Sequence, residues 1–167
     1  MRHHNRTEGL TGEHPFGDAV QLLLAILFFV VWVLDSFFLR YTVFLGRHIP
    51  LLLRVLLAIP VFFVAYRFAS RSMALVFGGK GDPTAVLEED VFAVMRHPMY
   101  FAALLLYVGF FLLTLSLASL ALVGIALWFY DYIARHEERL LLKRFGKAYE
   151  EYMKRAPRWI TPFRKSK

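Results

Sequence analysis

Residues 101–130 form an uncharged stretch bounded on both sides by polar clusters. Arg96-His97-Pro98-Met99-Tyr100 stands before it; Glu137-Glu138-Arg139-Leu140 and Phe145-Gly146 follow it. A run of this kind predicts a hairpin of two membrane-crossing helices, each needing ~20 residues or somewhat fewer. Both clusters then return to one face of the membrane. Polar groups gathered there suit an enzyme that meets a water-soluble reagent and a greasy substrate side by side.

Hydrophobic residues make up 58% of the 167 positions. A soluble domain of this size has too little interior to hide so much apolar surface. The chain reads as an all-α integral membrane bundle of about four spans, at 18–39, 49–68, 98–115 and 117–133. C-terminal cytoplasmic or interfacial helices follow over 135–155, and residues 1–17 read as a polar tail ahead of one membrane domain, 18–167. There is no cysteine, hence no disulfide framework, zinc-thiolate site or thiol nucleophile. His3-His4 reads as solvent-exposed imidazoles. The net charge of +7 falls mostly after Tyr132, as flanking charge of a membrane protein. No basic fold module accompanies it, which argues against nucleic acid.

Asp35, near Arg40, is expected to reach the interface. Arg54 is expected to snorkel outward, and Pro60 to kink or loosen its helix. The segment Phe77-Gly78-Gly79-Lys80-Gly81-Asp82-Pro83 is a turn-rich linker without the spacing of a phosphate-binding loop. Residues 84–95 alternate apolar and acidic, as in a segment lying along the interface. No Lys or Arg occurs between Arg96 and Arg135. By the positive-inside rule both termini and the polar clusters are expected on the cytoplasmic side.

Pro98 fits the first turn of a helix, since it has no N–H to leave unpaired. That leaves His97 near the cap, where exposed backbone amides together with Arg96 make a seat for a carboxylate. Glu137 and Glu138 offer the opposite charge, for an ammonium or ribose hydroxyls. An amino-acid-bearing nucleoside matches this layout. Taken singly, the first cluster also reads as an anchor and helix start, and the Glu pair as a solvated helix face.

The stretch 86–162 resembles the isoprenylcysteine carboxyl methyltransferase family and the related phospholipid methyltransferases. The matching residues are Arg96-His97-Pro98-Met99-Tyr100, Glu137-Glu138-Arg139-Leu140, Phe145-Gly146, Tyr149, Tyr152, and Pro157-Arg158-Trp159-Ile160 before Pro162. The resemblance implies an integral-membrane enzyme that uses S-adenosylmethionine without a Rossmann domain. It implies that Ala85, Val86 and Leu87 line the nucleoside and that Phe92 packs on it. His97, Pro98, Met99 and Tyr100 would surround the amino-acid moiety; Glu137 would bind a polar cofactor group, with Glu138 beside it. Arg96, His97 and Glu138 are the catalytic candidates, and Arg135 a substrate contact. The chain departs from the family in having Asp90 and Phe92 where Gly and Tyr are usual, and Ala102 where a Gly is common. Ile133 stands where some members place a substrate-facing arginine.

The expected activity is methyl transfer to a lipophilic or lipidated acceptor among membrane lipids, in the manner of isoprenylcysteine carboxyl O-methylation. A phospholipid ethanolamine N-methyltransferase and a small-thiol S-methyltransferase are the alternatives within the class. Outside it stand an NADPH-dependent sterol-type reductase and a non-catalytic membrane adaptor.

Overall fold

The computed structural model describes residues 17–78 and 86–160. The expected tail up to residue 16, most of the glycine-rich linker, Ala85 and Pro162 lie outside them. Among the described residues the chain is all-helical: α1 (Gly17–Val33), α2 (Leu51–Phe77), α3 (Val91–Val94), α4 (Pro98–Thr114), α5 (Leu117–Phe145) and α6 (Lys147–Arg155). A π-helical turn, Leu34–Leu39, continues α1. Three helices, Ala19–Leu39, Leu51–Phe77 and Leu117–Phe145, are long and apolar enough to cross a membrane. The apolar α4 is shorter, at about 25 Å for its 17 residues. The chain is a membrane protein.

Short α4 sits at the centre, packed on α2, α5 and α1. Its union with α2 rests on small side chains. Ala58, Ala65 and Ser72 are buried at seven-residue spacing on α2, and α4 turns Ala102 and Gly109 inward at the same spacing. A Cβ on Gly109 would fall 2.5 Å from the Phe62 ring. Small residues let helices approach closely where lipid provides no hydrophobic drive. Pro60 faces outward, and α2 continues through it.

Three expectations change. Helix α2 extends to Phe77, past the expected end at 68, because residues 69–76 contain no helix breaker. The fourth span does not stop at 133 before a separate helix at 135. One helix runs from Leu117 to Phe145, since only composition changes at that boundary and the Asp131–Arg135 pair bridges it. Gly146, at φ 55°, then turns the chain into α6.

The third change concerns Asp35 and Arg54, which turn inward. Asp35 is buried and accepts from Thr42 N at 3.0 Å, Thr42 Oγ1 at 2.5 Å and Ser116 Oγ at 2.6 Å. Thr42 in turn receives Ala118 N on its hydroxyl and Leu117 N on its carbonyl. Ser116 receives Ser119 N. The first-turn amides of α5, which a helix cannot satisfy itself, are thus capped by groups that Asp35 holds. Arg54 Nη1 donates to Leu113 O at 2.8 Å, and Trp32 Nε1 to Phe110 O at 2.9 Å, completing the end of α4. In hydrocarbon such inward bonding satisfies carbonyls that water cannot reach.

Asp35→Ala strands two hydroxyls and a backbone amide. It is expected to lower stability by about 3 kcal/mol, read as thermal unfolding in detergent, with Asp35→Asn losing less. A loss below about 1 kcal/mol would contradict this account of the cap.

Candidate active site

At the other end of the α4–α5 hairpin the two polar clusters meet. Met95 is extended and buried, and Arg96 N donates to Pro157 O at 2.9 Å, so the C-terminal segment is tied to the entry of α4. His97 is the N-cap and Pro98 the first helical residue. Among the described residues no side chain caps this terminus, and the first-turn amides, as at any helix start, are without an intrahelical acceptor.

Glu138 is the hub. Its residue is 3% exposed and three cations surround its carboxylate. Arg158 grips it through Nε at 2.9 Å and Nη2 at 2.6 Å. His97 Nε2 lies 3.3 Å from Oε1, and Arg96 Nη1 3.2 Å from the same oxygen. Arg96, with a side chain only 10% exposed, donates no hydrogen bond from Nη1 or Nε among the described residues. Buried guanidinium donors left open cost free energy unless an acceptor arrives. A carboxylate is the acceptor that guanidinium donors bind most strongly.

Glu137 is placed differently. Its side chain is 21% exposed; it accepts from Tyr100 Oη and stands 3.5 Å from His97 Nδ1. Tyr100 lies between two rings, parallel to His97 (centroids 5.6 Å apart) and to Tyr130 (5.1 Å). Because both His97 nitrogens face carboxylates, only the doubly protonated ring can donate to both. Burial works against that charge, yet the hydrogen bonds and charges of Glu137 and Glu138 outweigh it and raise the His97 pKa.

The expected residues therefore divide. Arg96, His97, Tyr100, Glu137 and Glu138 come together. Pro98 is buried beneath them, while Met99 lines an apolar groove between α4 and α2. Val86 packs beside Tyr149, Tyr152 and Ala156; Phe92, half-buried, accepts on its carbonyl from Tyr152 Oη at 2.7 Å. Leu87 is half-buried in the same segment. Arg135 is 63% exposed and bound to Asp131 at 2.6 Å. Ile133 is buried.

Asp131 and Tyr130 were not expected here, and Arg158 and Trp159 only as part of a matching motif. Asp131 accepts from Trp159 Nε1 at 3.0 Å and lies 3.3 Å from Arg158 Nη1. A signal existed: Asp131 precedes Glu138 by two helical turns and so shares its face. Asp90, where the resemblance expects glycine, has φ 53° and ψ −115°, a conformation that side chains strain to adopt.

A model of the phospholipid methyltransferase family matches residues 49–148. That span carries Arg96, His97, Tyr100, Glu137 and Glu138 and ends before Arg158. No curated protein and no solved structure matches the chain.

Two outcomes follow. Since the His97 pKa is raised, its ion pairs are complete below the ordinary histidine value of ~6.5 and are lost as pH rises through the raised value. An NMR titration is expected to place the His97 midpoint above ~6.5, and Glu138→Gln to lower it; a midpoint below that value contradicts the arrangement. Asp90→Gly relieves backbone strain at the cost of an exposed ion pair with Arg71, which contributes little. It is expected to raise stability by about 1 kcal/mol, seen as a higher melting temperature; a lower one counts against the strain.

Proposed function

The chain belongs to the phospholipid methyltransferase family, and from that premise we propose that it is an S-adenosylmethionine-dependent enzyme methylating a lipophilic acceptor held in the membrane. The observation that carries the cofactor assignment is the buried Arg96 guanidinium, whose Nε and Nη1 make no hydrogen bond among the described residues, beside the uncapped start of α4. Together they suit a carboxylate. Arg96 and the amides of Met99 and Tyr100 would take the amino-acid carboxylate. Glu137, the more accessible of the two glutamates, would take the ammonium or a ribose hydroxyl. Val86, Leu87 and Phe92, with Ala85, would lie along the nucleoside. When bound, S-adenosylmethionine supplies a methyl group made electrophilic by its sulfonium, and departs as a neutral thioether that needs no protonation.

The protein's share of catalysis is then alignment and exclusion of water. The acceptor side has its own support. Phe62, Ala65, Ala69, Met73, Met99 and Ala102 line an apolar groove of about 450 Å³ between α2 and α4. Met99 belongs at once to the groove and to the Arg-His-Pro motif, which joins a lipid-compatible surface to the site.

An isoprenylcysteine-type carboxylate acceptor needs no base. A second reading, an amine headgroup on a phospholipid, gains from one observation: Ile133 fills the place of the expected arginine and Arg135 turns to Asp131. An amine must first lose a proton, and among the described residues Glu137 is the site carboxylate with no arginine bound to it. We take residues 18–167 as one methyltransferase domain with its site and both termini cytoplasmic, following the basic residues around the site end.

Membrane lipid extracts, a prenylcysteine and a phosphatidylethanolamine incubated with methyl-labelled cofactor are expected to yield a labelled lipid. The species labelled identifies the acceptor atom; label in none of them would overturn the reading. In calorimetry with S-adenosylhomocysteine, Glu137→Ala is expected to weaken binding at least about tenfold, and Asp35→Ala far less. Equal effects would remove Glu137 from the site, and NADPH binding in place of S-adenosylhomocysteine would favour a reductase.

A further inference from the structure

After α6 the chain folds back onto the hub. Ala156 is buried, Pro157 O receives Arg96 N, and the Trp159 ring lies 6.3 Å from His97. Arg158 uses its whole guanidinium. Nε and Nη2 bind Glu138, and Nη1 faces Asp131 Oδ1. The same Asp131 oxygen receives Trp159 Nε1, while Oδ2 is held by Arg135. Asp131 and Glu138, two turns apart on α5, thus grip one short segment between them.

This grip decides what Arg96 has left to give. A buried carboxylate draws in every donor within reach until its lone pairs are filled. Arg158 takes one lone pair on each oxygen with two short bonds in the parallel geometry that guanidinium favours, and His97 Nε2 stands against Oε1, the oxygen that Arg96 faces. Arg96 therefore remains beside Glu138 as a charge, its Nη1 and Nε still open. Were Arg158 absent, Arg96 would be the next guanidinium able to turn onto Glu138, and its open donors would be consumed.

We propose that residues 156–160 form a clasp latched by Asp131, and that Arg158 is a positioning residue whose hold on Glu138 keeps Arg96 available for the cofactor's carboxylate. The proposal rests on the cofactor reading above. It predicts a selective loss: ligands that carry the amino-acid carboxylate suffer when the clasp is cut, and ligands without it do not.

The test compares S-adenosylhomocysteine with methylthioadenosine, which shares the nucleoside and lacks the carboxylate, by calorimetry on the full chain in detergent. Arg158→Gln is expected to weaken S-adenosylhomocysteine about tenfold and methylthioadenosine less than about twofold. Arg158→Lys, which keeps the charge but not the two-pronged bond, should show the same selectivity to a smaller degree. Asp131→Asn is a milder variant: its one oxygen can still accept from Trp159, while the counter-charge and the acceptor used by Arg135 are lost, so a weaker selective loss is expected. No loss for either ligand, or a parallel loss for both, overturns the clasp in favour of a purely structural segment. If the unaltered protein binds neither ligand, the cofactor reading fails and the proposed role of the clasp falls with it; binding of both ligands without the selective loss overturns the clasp alone.

Discussion

A carboxylate buried at 3% exposure with three cations around it is the interaction on which the site depends. Glu138 sits on α5; Arg96 and His97 arrive from the segment before α4; Arg158 arrives from beyond α6. Removing one partner from such a buried cluster costs about 3–5 kcal/mol. Breaking it therefore releases three stretches of chain at once. The cluster also explains why Glu138 is an organiser and Glu137 the residue with capacity to spare: adjacent on the helix, one points into the cluster and the other toward its opening.

That cluster forms only if the α4–α5 hairpin returns in register, and the far end of the bundle sets the register. Asp35 holds Thr42 and Ser116, which cap the first turn of α5. Arg54 and Trp32 close the last carbonyls of α4. Two polar ends, one a cap and the other the candidate site, thus bracket an apolar middle in which α4 meets α2 across alanines and Gly109. A hairpin fixed at its turn delivers His97 and Glu138 to the same height with little freedom to slip.

Much of this was legible in the chain alone. The uncharged run, the proline after His97 and the glycine after Phe145 announce a hairpin, a helix start and a helix end through local chemistry. What local chemistry does not reveal is the partner across the bundle. Asp35 and Arg54 look like residues seeking the interface because their depth can be counted from sequence, whereas the face they occupy is set by tertiary packing. The continuity of α5 past 133 was hidden for a related reason: a change in composition at a membrane boundary need not interrupt a backbone. Arg158 stood among the matching residues, but nothing in its spacing reveals that it reaches Glu138. Asp131 could have been found from its two-turn offset, had its face been compared with that of the glutamates.

The central claim is that chain segments on either side of the hairpin share one membrane face. The native chain has no cysteine, so single cysteines can be placed without background. Val94 and Arg139, both exposed near the site, and Tyr41, exposed at the far end, are suitable positions. In sealed vesicles of one orientation, a membrane-impermeant maleimide is expected to label Val94→Cys and Arg139→Cys from the same side and Tyr41→Cys from the other. Labelling of Val94→Cys and Arg139→Cys from opposite sides would contradict the account.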